Sequence, residues 1–536
     1  MAEGADAIIL GGTVIPVTAP PAEAVAIAGE RIAAVGSNAE VLDWRGPDTK
    51  IHDLNGAVLV PGFVEPHTHP DLSAQCYAWV DVSGFTHRSR HVVVEALRQA
   101  VHKAEAGDWV FAFGLDPMLT ADLGTWDKGV LDEIAPSNPL AVMLQSMHTL
   151  IVNSKALQAA GVDDGTPDPP GGGRLLRWAD GRLNGVVLEQ PAINLFVRFV
   201  DQSPTATEQR LSHQYERYRG AGITTIGVAG HFLHPELTPP FEPAPGAEAV
   251  RAVVYLHQRV AEGFISEADR SYDHLRVQGV KLWYDGSPYS GTMLLDEPYL
   301  DSPLCRQTLG ISPGAVGHAN IEFGEFVGLL ESFRDRGWQV LTHAQGDRAT
   351  REVMDAYQRV LRNHGDRDRR WRLEHCALIS RADVERAAQI GVALSFHVNH
   401  IYYYGPELRE AILGPARAAL AMPIWSAIRS GHRVSLHADS PMYPAAPLSL
   451  MRTAVTRRTR TGEQLGADEA ITPEQALRAV TIDAAWQLFA DDEIGSIAVG
   501  KYADLAVLSR NPLESPPQDI DRIEVLQSWL GGKTSG

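Results

Sequence analysis

Six residues between positions 67 and 439 carry side chains suited to holding divalent metals: His67, His69, Lys281, His343, His375 and Asp439. Each lies at the C-terminal end of a short apolar run that reads as a β-strand. His67 and His69 close the stretch Pro61-Gly62-Phe63-Val64-Glu65-Pro66-His67-Thr68-His69. Residues two apart in an extended chain point the same way, so both imidazoles can share one ion, and imidazole nitrogen suits zinc and similar metals. His343, after Leu341-Thr342, and His375, after Leu373-Glu374, end strands one βα unit apart and fit a second ligand pair. Lys281 sits between Val280 and Leu282. A charged amine there is costly and burial lowers its pKa. The neutral amine can take up CO₂ and become a carbamate, an anion able to bridge two cations; the alternative is a lysine that ion-pairs with Asp285. Asp439, in His437-Ala438-Asp439-Ser440-Pro441, ends the last strand. Its carboxylate can bind a metal and take a proton from an attacking water, or cap the segment that follows. Two such metals would generate a bridging hydroxide near neutral pH. Asp439 would then serve as base and afterwards as acid toward the leaving group.

The elements that must position these residues alternate between strand and helix signals, which predicts βα units around a parallel sheet. Eight strands are expected at 58–64, 224–229, 252–256, 279–284, 339–342, 371–373, 392–396 and 433–436. A (β/α)₈ barrel carries its chemistry on the C-terminal rim of such strands. Helices are expected from a capping-box pattern at Thr205 and Glu208 to about Gly220, over 325–336, and from Thr472 to about Phe489. Short β-rich runs at 7–16, 24–36 and 50–60 have a counterpart at 495–508. They predict a composite β-sandwich from residues 1–60 and 490–536, with the barrel in 61–69 and 204–489. Residues 70–203 exceed any single βα loop and read as an inserted α+β domain, with a helix at 92–105 and strands at 109–113 and 140–144, acting as a lid over the barrel mouth. The Gly171–Gly173 triplet lacks the Lys-Ser/Thr of a phosphate loop and reads as a plain loop. The basic cluster Arg452, Arg457, Arg458 and Arg460 reads as the solvated end of a helix.

Composition narrows the classes. A net charge of −19 argues against nucleic-acid or anionic-membrane partners. Three scattered cysteines make no disulfide framework. No signal peptide and no run of 18 apolar residues is seen, so a cytoplasmic protein acting on a small molecule is expected. Several apolar loops are compatible with a homodimer.

These motifs in this order resemble the metal-dependent amidohydrolase superfamily, and within it the YtcJ-like branch, or amidohydrolase family 3, which includes N-substituted formamide deformylases. The resemblance extends over nearly the whole chain and also rests on Met147-His148, Asn153-Ser154, Asp285-Gly286-Ser287, Gly346-Asp347 and Ala503-Asp504-Leu505. It implies a distorted (β/α)₈ barrel with a composite sandwich and an insertion. It implies His67, His69 and Asp439 on one metal, His343 and His375 on the other, and carboxylated Lys281 between them. Zinc is the expected ion, with manganese or iron(II) as alternatives. The activity implied is hydrolysis of an amide, N-acyl, N-formyl or carbamate C–N bond, or of an ester. Three departures stand out: Glu65 where the family has Asp, His437-Ala438 where it has Gly-Ser, and a seventh strand that usually ends in Gln-Pro but reads Ser395-Phe396-His397-Val398-Asn399-His400 here. His148 and His400 are candidate oxyanion donors. Trp79, Glu189, Trp283, Tyr289, His397, Tyr403 and His437 are candidate substrate contacts, and their aromatic content favours an apolar or aromatic substrate. A deaminase, decarboxylase or isomerase on the same barrel, or a binding protein without catalysis, remain open alternatives.

Overall fold

In the computed structural model, which describes residues 4–170, 172–231, 249–261, 275–362 and 368–534, eight parallel strands form one sheet in chain order. They are β1 (Phe63–Thr68), β2 (Ile223–His231), β3 (Arg251–His257), β4 (Leu275–Trp283), β5 (Gln339–Ala344), β6 (Arg372–His375), β7 (Ala393–Phe396) and β8 (Ser435–Leu436). Most of their residues are buried, as strands covered on both faces must be. The seam between β1 and β8 is joined by His69 N–H donating to the Ser440 carbonyl at 3.0 Å. There the Ala438 N–H also donates to the Glu65 carboxylate at 3.2 Å. The result is a nearly closed, distorted (β/α)₈ barrel. Its register pairs Trp283 with His343, His343 with Glu374 and His375 with Phe396, so the strand ends share one rim.

Gly227 in β2 shows how tightly this ring is drawn. A Cβ there would lie 2.1 Å from the Pro66 carbonyl oxygen, beside His67. Gly227→Ala is therefore expected to cost about 1–3 kcal/mol, read as a lower denaturation midpoint at unchanged slope.

Several boundaries differ from expectation. The run at 58–64 is two strands: Val58–Pro61 pairs with Leu505–Leu508, whereas β1 starts at Phe63. Gly62 lies between the two, where a Cβ would meet the Thr224 side chain at 2.2 Å. The Thr205 cap is displaced. Helix Pro204–Gly220 begins one residue earlier, with the Ser203 carbonyl and hydroxyl accepting from Thr207 and Ala206 N–H. Thr472 does form a capping box with Gln475, but the helix ends at Ala479 and a second one, Ile482–Gln487, follows. The arginine cluster is a solvated helix end only in part: Arg458 is exposed and Arg460 is half-buried against Glu407. Arg457 is fully buried and donates to the carbonyls of Leu465, Met422 and Ala421, and Arg452 is nearly so. These carbonyls supply the acceptors that a buried guanidinium requires.

Two further sheets use both ends of the chain. Thr13–Val14, Val58–Pro61, Leu505–Leu508, Val525–Leu530 and Lys533–Thr534 form one, in that order. Arg31–Gly36, Ala24–Ala28, Ala5–Leu10 and Arg45–Asp53 form the other. Ile9, Val25, Leu59, Leu505 and Trp529 join in a core common to both sheets. The chain divides into two compact units, 1–70 with 212–536, and 71–211. The second unit has its own six-stranded mixed sheet, with cores around Leu150 and Phe196 and around Leu97 and Leu140. In the glycine triplet, Gly171 lies outside the described residues. Among the described residues no helix is long and apolar enough to cross a membrane.

Candidate metal centre

The rim of β1, β4, β5, β6, β7 and β8 gathers the first unit's imidazoles around Asp439. Oδ1 of Asp439 is 3.4 Å from His67 Nε2 and 3.1 Å from His69 Nε2. Its other oxygen, Oδ2, is 3.9 Å from His375 Nδ1 and 4.0 Å from His397 Nδ1. Among the described residues, three groups place ligand atoms within 4.8 Å of one another: His67, His69 and Asp439; His375, His397 and Asp439; and His67, His375 and His437. Lys281 Nζ lies 3.2 Å from His67 Nε2. The His343 and His375 rings are 4.2 Å apart, although His343 belongs to none of the three groups. His375 and Asp439 both hold left-handed backbone, at φ 73° and 54°. Non-glycine residues seldom adopt it, and such strain gathers at functional sites.

Hydrogen bonds fix which nitrogens carry lone pairs. Glu374 accepts from His67 Nδ1 at 2.6 Å, leaving the lone pair on Nε2, which Lys281 Nζ meets at 3.2 Å. The Gly286 carbonyl accepts from His343 Nε2 at 3.2 Å, which leaves Nδ1. The Ala438 carbonyl accepts from His397 Nε2 at 3.0 Å, which also leaves Nδ1. His375 Nδ1 meets His437 Nε2 at 3.2 Å, and its Nε2 has no hydrogen-bond partner among the described residues. Burial pushes these imidazoles down, to about 4 at His67 and His397 and about 3 at His343, so they are neutral near pH 7. Burial opposes ionisation of Asp439, yet the facing histidines, His67 foremost, hold its carboxyl well below the usual carboxylate range. Burial lowers the Lys281 amine to about 8, against the pull of Glu374 and Asp439. Neutral imidazoles with inward lone pairs, an ionised carboxylate and orphaned buried nitrogens fit divalent cations.

The remaining candidates fall in different places. His437 is fully buried, stacks on His67 at 4.7 Å and joins Ser395 Oγ, at 2.8 Å, to His375. His400 Nδ1 contacts the hydroxyls of Tyr289 at 2.8 Å and Tyr443 at 2.6 Å, and its Nε2 has no hydrogen-bond partner among the described residues. The half-buried ring of Trp283 lies 5.3 Å from Lys281 Nζ. Tyr403 stacks on Tyr443 at 4.9 Å. His148, Glu189 and Trp79 belong to the second unit. There His148 bonds Glu189 at 3.1 Å on an exposed face, and Trp79 stacks on Phe111. Sequence reasoning missed Arg372, Ser395 and Tyr443, whose roles come from contacts across strands; Glu374 was visible only as the neighbour of His375.

Residues 50–535 match the sequence profile of the group described as "Amidohydrolase family". The chain belongs to the amidohydrolase family. This amidohydrolase is 29% identical over 526 residues to an N-substituted formamide deformylase of Arthrobacter pascens, covering 95% of this chain and 94% of the relative. It is 26% identical over 521 residues to the protein YtcJ of Bacillus subtilis (strain 168), covering 95% of each. A solved structure of an uncharacterized metal-dependent hydrolase from Pyrococcus horikoshii OT3 superposes with a TM-score of 0.74. At 21% identity, over 95% of this chain and 99% of that one, the likeness establishes the fold.

Proposed function

We propose that this amidohydrolase is a metal-dependent hydrolase cleaving a C–N bond in a small N-formyl, N-acyl or carbamate compound of apolar or aromatic character. The observation that carries this reading is one ionised carboxylate, Asp439, ringed by imidazoles whose lone pairs turn inward. His67, His69 and Asp439 would hold one divalent cation. His343 and His375 would hold a second, with carboxylated Lys281 between. Zinc is the first candidate. Bound metals supply Lewis acidity and a lowered pKa for water at neutral pH.

The chain's own groups do the rest. Asp439 takes a proton from the attacking water and returns it to the leaving nitrogen, as base and then acid. A pKa of about 8 leaves part of the Lys281 population neutral, ready to form an N–C bond with CO₂ and release a proton. A tyrosine hydroxyl that donates to His400 Nδ1 leaves the imidazole proton on Nε2. That N–H has no acceptor among the described residues and is available to a developing oxyanion. Trp283 and Tyr289, both near these groups, offer aromatic surface to the substrate. The deformylase among the relatives makes N-substituted formamides the first compounds to test.

The test is turnover by zinc-loaded protein on matched formamides, amides, carbamates, esters and aminated rings, with metal content measured alongside. Formamide or amide hydrolysis that rises with metal content is expected. Deamination alone, or no turnover by folded metal-loaded protein, would overturn the reading. His437→Ala provides a further check, since it leaves His375 Nδ1 and Ser395 without their buried partner. Loss of such an outer partner should weaken zinc binding about 10-fold, measured by chelator competition.

A further inference from the structure

Three departures from the family pattern, Glu65, His397 and His437-Ala438, converge on one place. Glu65 accepts from Ala438 N–H, the Ala438 carbonyl accepts from His397 Nε2–H, and the rings of His397 and His437 stack at 5.0 Å. The consequence falls on His397. Its Nε2 proton is committed to a backbone carbonyl, which can only accept, so the lone pair is on Nδ1. That nitrogen is buried, has no hydrogen-bond partner among the described residues, and faces Oδ2 of Asp439 at 4.0 Å. A buried lone pair turned toward a carboxylate oxygen, with no proton between them, calls for a shared positive group. His375 completes the set, its ligand atom within 4.8 Å of those of His397 and Asp439, and among the described residues its own Nε2 has no hydrogen-bond partner.

We infer that His397 is a metal ligand in this chain: the second divalent cation is bound by His375 and His397, against Oδ2 of Asp439, while Oδ1 faces the cation of His67 and His69. This rests on the metal-dependent reading above and changes it in one respect: His397, rather than His343, joins His375 on the second cation. The carboxylate then spans both ions, and the seventh strand, which in the family ends in Gln-Pro, supplies a ligand here. Imidazole in place of an amide adds a strong nitrogen donor without adding charge, so it favours zinc-like ions over magnesium or calcium.

The direct test is a zinc-edge anomalous map of zinc-loaded crystals of the whole protein. A peak within about 2.0–2.1 Å of His397 Nδ1 is expected. A peak among His67, His69 and Asp439, with none at His397, would overturn this inference and leave the hydrolase reading standing. No peak at either place would remove both. In solution, zinc binding is followed by chelator competition in wild type and in His397→Gln, which replaces the imidazole with a neutral amide. The second equivalent should bind at least about 10-fold more weakly in the variant, with the first unchanged and the melting temperature of the chelated proteins equal. Equal affinity for both equivalents would overturn the assignment. The anomalous map needs no variant, so the proposal stays testable if His397→Gln does not fold.

Discussion

Asp439→Asn should lose at least about 10³-fold in kcat, within the range attributed to positioned acid–base groups, while the protein still folds. The substitution is nearly isosteric. It also suits the backbone, because position 439 sits at φ 54° and asparagine tolerates the left-handed region better than most residues. What changes is chemistry. The carboxylate that faces His67 and His69 with one oxygen and His375 and His397 with the other becomes a neutral amide. One end of that amide would present N–H protons where a ligand oxygen stood. Metal affinity should therefore fall along with turnover. Measuring kcat at saturating zinc separates the two: a variant that regains full metal but not rate has lost the base. A kcat above about one tenth of wild type at full occupancy would place proton transfer on another group.

The part of this site legible in the sequence is the part carried by local pattern. His67 and His69 were visible because a two-residue spacing on an extended segment forces a common face. Lys281, His343 and His375 were visible because each ends an apolar run of strand length. The run at 58–64 misled because apolar content does not say which sheet a strand joins. Only the close approach of Gly62 to Thr224 reveals that the chain passes there from sandwich to barrel. Arg457 was misread for a related reason. A cluster of arginines looks solvated until the carbonyls that satisfy it, from Leu465, Met422 and Ala421, are brought to it by tertiary packing. His397 and His437 could be noticed as departures, but their directions depend on hydrogen bonds to Ala438 and Ser395, partners that lie about 40 residues away in sequence.

The second large effect is expected at Glu374, where stability and metal binding meet. Its carboxylate accepts from Arg372 Nε at 2.6 Å and from His67 Nδ1 at 2.6 Å, and all three side chains are buried. Burial disfavours the ionised form, but Arg372 and His67 outweigh it and hold the acid at about 2. Arg372 also donates to the Pro66 carbonyl at 3.0 Å and lies over the Tyr255 ring at 5.4 Å, but among the described residues its third nitrogen has no hydrogen-bond partner. Glu374→Ala thus strands a guanidinium inside the barrel and should cost about 3–5 kcal/mol, the range for breaking one side of a buried pair. It also frees His67 to rotate or change tautomer, so zinc affinity should fall about 10–100-fold. The double variant Arg372→Met/Glu374→Leu separates these effects. Replacing both charges with apolar groups of similar size should recover most of the stability. It cannot restore an acceptor for His67 Nδ1–H, so the loss of zinc affinity should persist. If the double variant regained affinity together with stability, Glu374 would matter to the metal centre only through the fold.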